Sequence, residues 1–353
     1  MANIETVAKL AGVSIATASR ALRGLPDVAP STRERVLRIA QELNYSPEAQ
    51  TSPPANGPTK TIGFILPLAD QWFYSQISTA IETTMLLQNC DVWRYPVTDP
   101  VRQTEIIRRL VTSHRVDGMI ISTLQLAERD IELLRQAELP VITIETRISA
   151  FPSITCNNVR GAEMATRHLI ELGHRQIGLI TGLPETPLGF PVPHQRELGY
   201  EQALRTHGLE VRSELCVAGN FSPAGGAEAM AQLLAVDPRP SAVFSISDEM
   251  AIGAMKTIRE AGLCIPGDIS VIGFDNHDLA EFLDLTTVHQ PVSQYGALAA
   301  SMLLDMLQDP AASRRESVVL PTRLIIRKTT GPRTTRREKR GPRSEPEPKR
   351  FGS

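Results

Sequence analysis

Residues Thr6–Leu22 read TVAKLAGVSIATASRAL, a stretch that divides into two short helices with Gly12 at the bend. Val7, Ala8, Leu10 and Ala11 fall at helical spacing before it, Ala18 and Leu22 after it, and the small residues among them let two helices cross closely. Ser14 stands where a side-chain oxygen caps the second helix, whose first turn then offers Ile15 and Ala16, with Arg20 one turn further on the same side. This is the layout of a recognition helix that enters the DNA major groove. Arg20 has the fork that reads guanine O6 and N7, while Ile15 and Ala16 can touch only apolar edges such as a thymine methyl.

Outward from this pair, a third helix is predicted from Ser31, with Ser31 and Glu34 as a capping box and Val36, Ile39, Ala40 and Leu43 as its buried face. Residues 1–46 are therefore a small all-α helix-turn-helix head. Residues 47–60 include Pro47, Pro53, Pro54 and Pro58 and show no apolar periodicity, which makes them a linker. Charge divides the same way. Residues 1–60 carry +2, residues 61–330 carry −9 and residues 331–353 carry +5, within a chain of net −2. A polyanion is attracted to the ends and repelled by the middle, so a DNA contact belongs at a terminus.

From Thr61 onward short β-branched runs alternate with helical patterns: TIGFIL, DVWRY, VDGMIIS, PVITIE, QIGLITG, AVFSIS and DISVIGF are the strand candidates. Such alternation predicts parallel sheets covered on both faces. There are too many strands for one tidy sheet, so residues 61–330 are expected to form two doubly wound α/β lobes with a ligand cleft between them. DISVIGF continues into Asp275 and Asn276, which places Asp275 at a carboxyl strand end, where open α/β sheets bind ligands. Residues 331–353, rich in Arg, Pro and Glu, are expected to be a disordered basic tail.

Several functions lack their parts. Cys90, Cys156, Cys216 and Cys264 are far apart and read as small buried hydrophobes, and the seven histidines show no metal-ligand spacing. No nucleophile elbow, dinucleotide loop, phosphate loop or zinc-protease motif occurs, so no enzyme, cofactor or metal is expected. Neither an export signal nor a long apolar span is present, which makes the expected location cytoplasmic and the membrane no partner.

The head resembles the DNA-binding domain of the lactose-repressor (LacI/GalR) family from Thr6 to Leu22, and again at Thr32–Val36 and Leu43–Tyr45. The likeness continues to about residue 330 through Ile62–Pro67, Val116–Ile121, His168–Gly182, Arg196–Tyr200, Ser247–Gly253, Ile269–Asn276 and Thr286–Pro291. It implies a two-lobed periplasmic-binding-protein-like (type I) sensing domain behind the helix-turn-helix head. It further implies that Ile15, Ala16 and Arg20 read bases and that Ser14, Thr17 and Ser19 contact phosphates or cap the helix. Glu5 replaces a frequent basic residue, which should weaken phosphate contact, and Arg23 replaces a usual asparagine, which should restore it.

For the body the resemblance implies effector contacts from Phe73, Tyr74, Arg196, Ser247, Asp275 and Gln290. Ser247 stands in place of an asparagine common in sugar-responsive relatives, and Asn157 in place of an aspartate. Asp248 is expected to cap its helix.

The expected protein is then a transcription regulator, in the first place a repressor, acting as a homodimer on pseudo-palindromic operator DNA under control of a sugar-like small molecule. A solute-binding transport component would account for the body but not the head. A ligand-independent DNA-binding protein would account for the head but not the cleft. Relatives usually carry an A-x-x-L hinge helix in the linker, and here Pro53 and Pro54 fall on that segment.

Overall fold

The computed structural model describes residues 4–22, 25, 27–43, 59–67, 71–182, 188–309 and 317–333. Arg23, most of the linker with Pro53 and Pro54, and the tail beyond Arg333 lie outside the described residues.

The head is three helices, α1 (Ile4–Ala11), α2 (Ile15–Leu22) and α3 (Pro30–Glu42). Its core is its own: Val7, Ala8, Ala11, Ala18, Ala21, Val28, Val36, Ile39 and Ala40 pack together. Gly12 takes φ +64°, with the Val13 amide donating to the Ala8 carbonyl at 3.0 Å, so a left-handed residue ends α1 as the bend requires. Leu10, expected inside, is 59% exposed. The capping box at Ser31 does not form. Helix α3 starts one residue earlier, at Pro30, with Ala29 as N-cap and no side-chain cap, because proline's fixed φ is already suited to the first helical position.

The body holds two six-stranded sheets. The first comprises β1 (Thr61–Leu66), β2 (Asp91–Pro96), β3 (Gly118–Ser122), β4 (Val141–Ile144), β5 (Ser153–Cys156) and β11 (Val318–Leu320), in the order β11-β5-β4-β3-β1-β2. All its pairings are parallel, and helices α4 (Trp72–Leu86), α5 (Pro100–Ser113), α6 (Glu128–Gln136) and α12 (Val292–Gln308) cover it. The second sheet comprises β6 (Ile177–Thr181), β7 (Cys216–Ala218), β8 (Ala242–Ser245), β9 (Ser270–Asp275), β10 (Thr286–His289) and β12 (Arg323–Ile325), in the order β12-β10-β9-β8-β6-β7. Only β12 runs antiparallel there. Its helices are α7 (Asn158–Glu171), α8 (Pro191–Thr206), α9 (Pro223–Ala235), α10 (Asp248–Glu260) and the short α11 (Leu279–Phe282).

The chain passes between the lobes three times, from β5 to α7, from β10 to α12 and from β11 to β12. Each sheet reverses its strand order once, between β1 and β3 in the first lobe and between β6 and β8 in the second. Loops leave such a point in opposite directions and open a crevice at the carboxyl strand ends. The two crevices face each other, and that is where the site lies.

Helix packing in the second lobe depends on close backbone approach. A Cβ on Gly199 of α8 would stand 2.1 Å from the Val159 carbonyl oxygen of α7. One turn before Gly199 comes Arg196, and directly after it Tyr200, whose hydroxyl donates to the Ile177 carbonyl at 2.7 Å. At the far end of this lobe the chain remains tied beyond Thr330, where a free tail was expected. His174 Nε2 lies 3.0 Å from the Gly331 carbonyl oxygen, and the Arg333 amide donates to the Leu172 carbonyl at 2.9 Å.

Candidate functional site

On the head, Ser14 Oγ accepts the Thr17 amide at 3.1 Å and so caps α2, and it lies 2.8 Å from Thr17 Oγ1. Ile15, Ala16 and Arg20 are exposed, and Thr17 and Ser19 are half-buried. The buried face of α2 is Ala18 and Ala21. That leaves a small apolar pair and a guanidinium displayed on the outer side of a helix whose inner side is fixed by packing, an arrangement suited to reading base edges.

In the body, one interlobe cavity is lined by Phe73, Tyr74, Arg196, Ser247, Asp275 and Gln290 together. All six effector candidates therefore meet, from both lobes and one crossover. Phe73 and Tyr74 come from the first turn of α4, after β1. Arg196 comes from α8, after β6, Ser247 follows β8, Asp275 ends β9 and Gln290 begins the second crossover. The ring of Phe73 meets those of Tyr74 and Tyr295 edge-on, with centroids 5.2 and 6.2 Å apart. The Tyr74 hydroxyl lies 2.7 Å from Thr123 Oγ1, and burial pushes its pKa upward.

Arg196 is the hub. Its Nε donates to Asn158 Oδ1 at 2.8 Å, one terminal nitrogen donates to the Ile246 carbonyl at 2.5 Å and to Asp275 Oδ1 at 3.3 Å, and the guanidinium lies 3.5 Å above the Phe274 ring centroid. Gln290 Nε2 donates to the same Asp275 oxygen at 2.6 Å, and Gln290 Oε1 accepts the Tyr295 hydroxyl at 3.1 Å. Asp275 titrates high, at about 6, because burial outweighs the opposing pull of Arg196.

Asp248 is not a helix cap. Ser247 takes that place, its Oγ accepting the Met250 amide at 3.3 Å. Asp248 is buried at the first helical position and accepts the Thr287 hydroxyl at 2.7 Å and the His277 amide at 2.8 Å. Burial, then the charge of Asp275, pushes its pKa well up. Asn157 caps α7, accepting the Arg160 amide at 3.0 Å.

Sequence reasoning missed Thr123, Glu145, Phe190, Val192, Phe221 and Glu249 of the lining. Glu145 is buried at φ +55° and accepts the Cys156 amide at 2.7 Å and Asn158 Nδ2 at 2.6 Å. Phe221 sits at φ +52°, a conformation costly for a bulky residue and one visible only in the backbone. Among the described residues no group of three or more His, Cys, Asp or Glu could hold a metal, and no helix is long and apolar enough to cross a membrane.

Comparison with known proteins agrees with both halves of this description. The model for bacterial regulatory proteins of the lacI family matches residues 3–48, and that for the periplasmic binding protein-like domain matches residues 166–330. Catabolite control protein A of Priestia megaterium is 32% identical over 340 residues, covering 93% of this chain and 98% of that protein. The solved CelR–cellobiose complex is 28% identical with a TM-score of 0.68, covering 93% of this chain and all of that one. The lac repressor dimer bound to operator and the anti-inducer ONPF gives 28% and 0.68, covering 94% of this chain and 99% of that one. With a displayed recognition helix at one end, a two-lobed binding cleft behind it and relatives alike over nearly their whole length, the chain belongs to the lacI family of bacterial transcription regulators, non-enzymatic DNA-binding proteins modulated by a small-molecule effector.

Proposed function

We propose that this chain is a repressor whose effector is an uncharged, polyhydroxylated ring of the carbohydrate class. The observation that carries this is the charge of the cavity wall: Glu145, Glu249 and Asp275 stand against the single cation Arg196. An anionic ligand is repelled by such a wall, and two of the Arg196 nitrogens are already bonded within the protein. Aromatic rings of Phe73, Phe190 and Phe221 supply faces for the apolar side of a sugar ring, while Asp275, Gln290 and Ser247 supply hydrogen bonds to its hydroxyls. The cellobiose in the CelR structure is in keeping with this class.

Ser14, Ile15, Ala16, Thr17, Ser19, Arg20 and Arg23 are assigned to a pseudo-palindromic operator, each half-site meeting one head of a homodimer. A second copy has apolar surface to cover on the second lobe, where Phe282 is 83% and Leu279 48% exposed. The test is a thermal-shift screen of neutral mono- and disaccharides, sugar phosphates and nucleobases, with the hit repeated on Asp275→Asn. Stabilisation by a neutral sugar that the variant loses supports the proposal; stabilisation only by a sugar phosphate or a nucleobase overturns it.

A further inference from the structure

The interlobe cavity lined by Arg196 and Asp275 encloses about 50 Å³, far below the roughly 300 Å³ at which small-molecule sites begin. A ring therefore fits in this cavity only as the lobes part, and the contacts across its mouth must then break. One of these is unusually well built. Trp72, the first residue of α4 in the first lobe, donates its Nε1 hydrogen to Asp278 Oδ2 of the second lobe at 2.9 Å. Gln76, one turn along, donates to the same oxygen at 3.5 Å, and the Trp72 ring lies against His277 with centroids 4.6 Å apart at a tilt of 34°.

His277 and Asp278 belong to the turn that begins with Asp275. Asp275 has φ +118° and Asn276 φ +57°, so two consecutive non-glycine residues sit in the left-handed region and the turn must be held by its surroundings. From inside, Asp248 holds it by accepting the His277 amide, and its carboxylate presses against Gly273, where a Cβ would come within 2.0 Å of Oδ1. From across the cleft, Trp72 and Gln76 hold its other end. One strained turn thus joins an effector-facing carboxylate to an interlobe contact two and three residues later.

We propose that Trp72 and Asp278 form a clasp across the cleft that positions the Asp275–Asp278 turn, making Trp72 a positioning residue for the effector response. The clasp reports lobe orientation to Asp275, and a ligand drawn to Asp275 acts back on the clasp. This rests on Asp275 as an effector contact, but the clasp can be tested without effector, so the two ideas fail separately.

The chain has two tryptophans, and Trp93, 46% exposed on β2, is remote from the cleft lining. Trp93→Phe leaves Trp72 as the sole indole. In that background Asp278→Asn should shift the emission to the red and raise acrylamide quenching about twofold. Amide hydrogen exchange in residues 275–279 should quicken about tenfold, as for loss of one charge-assisted hydrogen bond, while α10 and β6 stay protected. Trp72→Phe, which keeps a ring against His277 but removes the donor, should give the same local quickening. Unchanged emission means that the clasp does not form in solution. Altered emission with unchanged exchange at 275–279 means that it does not position the turn, and quickening throughout the second lobe means a general loss of stability. Each of these three outcomes overturns the proposal.

Discussion

Arg196 and Asp275 meet at 3.3 Å with side chains 4% and 9% exposed, and the arginine is pressed at the same time onto Phe274, the residue before its partner. The pair is thus both an ion pair and a packing unit. Removing one member of a buried pair costs more than the pair contributes, because the other charge is left without compensation. Arg196→Ala also frees the Ile246 carbonyl and Asn158 Oδ1. We expect Arg196→Ala to cost about 3–5 kcal/mol in urea unfolding, with Asp275→Asn distinctly milder because Gln290 and Arg196 keep an oxygen to bond. Equal costs would mean that the guanidinium holds nothing beyond the carboxylate.

The spacing Arg196-x-x-Gly199-Tyr200 has a packing reason beside the effector contact proposed for Arg196. Gly199 lets α8 close on the α7 backbone, and that closeness sets how far Arg196 reaches into the cavity. Gly199→Ala forces backbone apart rather than a pliable side chain, so the expected loss is at the upper end of about 1–3 kcal/mol for overpacking. Effector affinity should fall with it, since Arg196 moves with its helix. Calorimetric melting and ligand titration on the same preparation check both. A variant with the parent's stability would show that α7 and α8 can shift without cost.

Much of this was legible in the chain itself. The seven runs proposed as strands all lie on strands, six of them because fully covered parallel strands are near-continuous apolar stretches that need no partner to be recognised, while DVWRY, on the largely exposed edge strand β2, shows itself by its β-favouring residues instead. SITC, CVA, TTVH, VVL and RLI were not proposed, and they form β5, β7, β10, β11 and β12. Three or four residues carry too little periodicity to declare themselves, and neighbouring strands and crossovers place them. Arg196 and Asp275 stood out by chemistry and motif. Phe190 and Phe221 lie in loops where an aromatic residue has no pattern to belong to, and only the meeting of the two lobes gives them a role. Asp248 was misread because an acidic residue at a helix start looks like a cap, whereas Ser247 before it does that work and frees Asp248 to hold the turn.

On the head, α2 buries Ala18 and Ala21 and displays Ile15, Ala16 and Arg20. Arg20→Ala removes the displayed guanidinium able to bond a guanine edge, but leaves the phosphate contacts that give binding without sequence preference. The expected result is about 1–3 kcal/mol less discrimination between operator and scrambled DNA, with weak, salt-sensitive binding retained. Binding isotherms at several salt concentrations measure this, and undiminished discrimination would remove Arg20 from base reading.

Pro53 and Pro54 bear on the shape of the bound DNA. A proline within a helix costs about 3 kcal/mol, and two in succession where relatives place a hinge helix withhold two amide donors and the leucine that wedges into the minor groove. Little central kinking of the operator is expected. Fluorescence resonance between labelled DNA ends, read with and without protein, tests it: a sharp central kink shows that the linker can act as a wedge despite its prolines.

The ionisation of Asp275 gives a pH dependence of definite sign. Its pKa is about 6 in the folded protein against an ordinary 3.8, so between those values the folded chain holds a proton that the unfolded chain has released. The group therefore adds stability as pH falls through 6 and withholds it above, and the gap corresponds to roughly 3 kcal/mol. His168, His174, His277 and His289 act in the opposite sense. Burial lowers each of them, so the unfolded chain takes up their protons first and stability falls as pH drops through the ordinary 6.5. Total stability mixes the two effects, but Asp275→Asn keeps all four histidines and changes only the titration of the Asp275–Asp248 pair. The stability difference between parent and variant should therefore move in the parent's favour by up to roughly 3 kcal/mol from pH 7 to pH 4. Asp248 is pushed up by burial and then by the same carboxylate, so the midpoint belongs to the aspartate pair rather than to one member. Urea unfolding of both proteins at four pH values reads it directly. A difference that stays flat, or moves in favour of the variant, would show that Arg196 rather than burial governs the carboxylate.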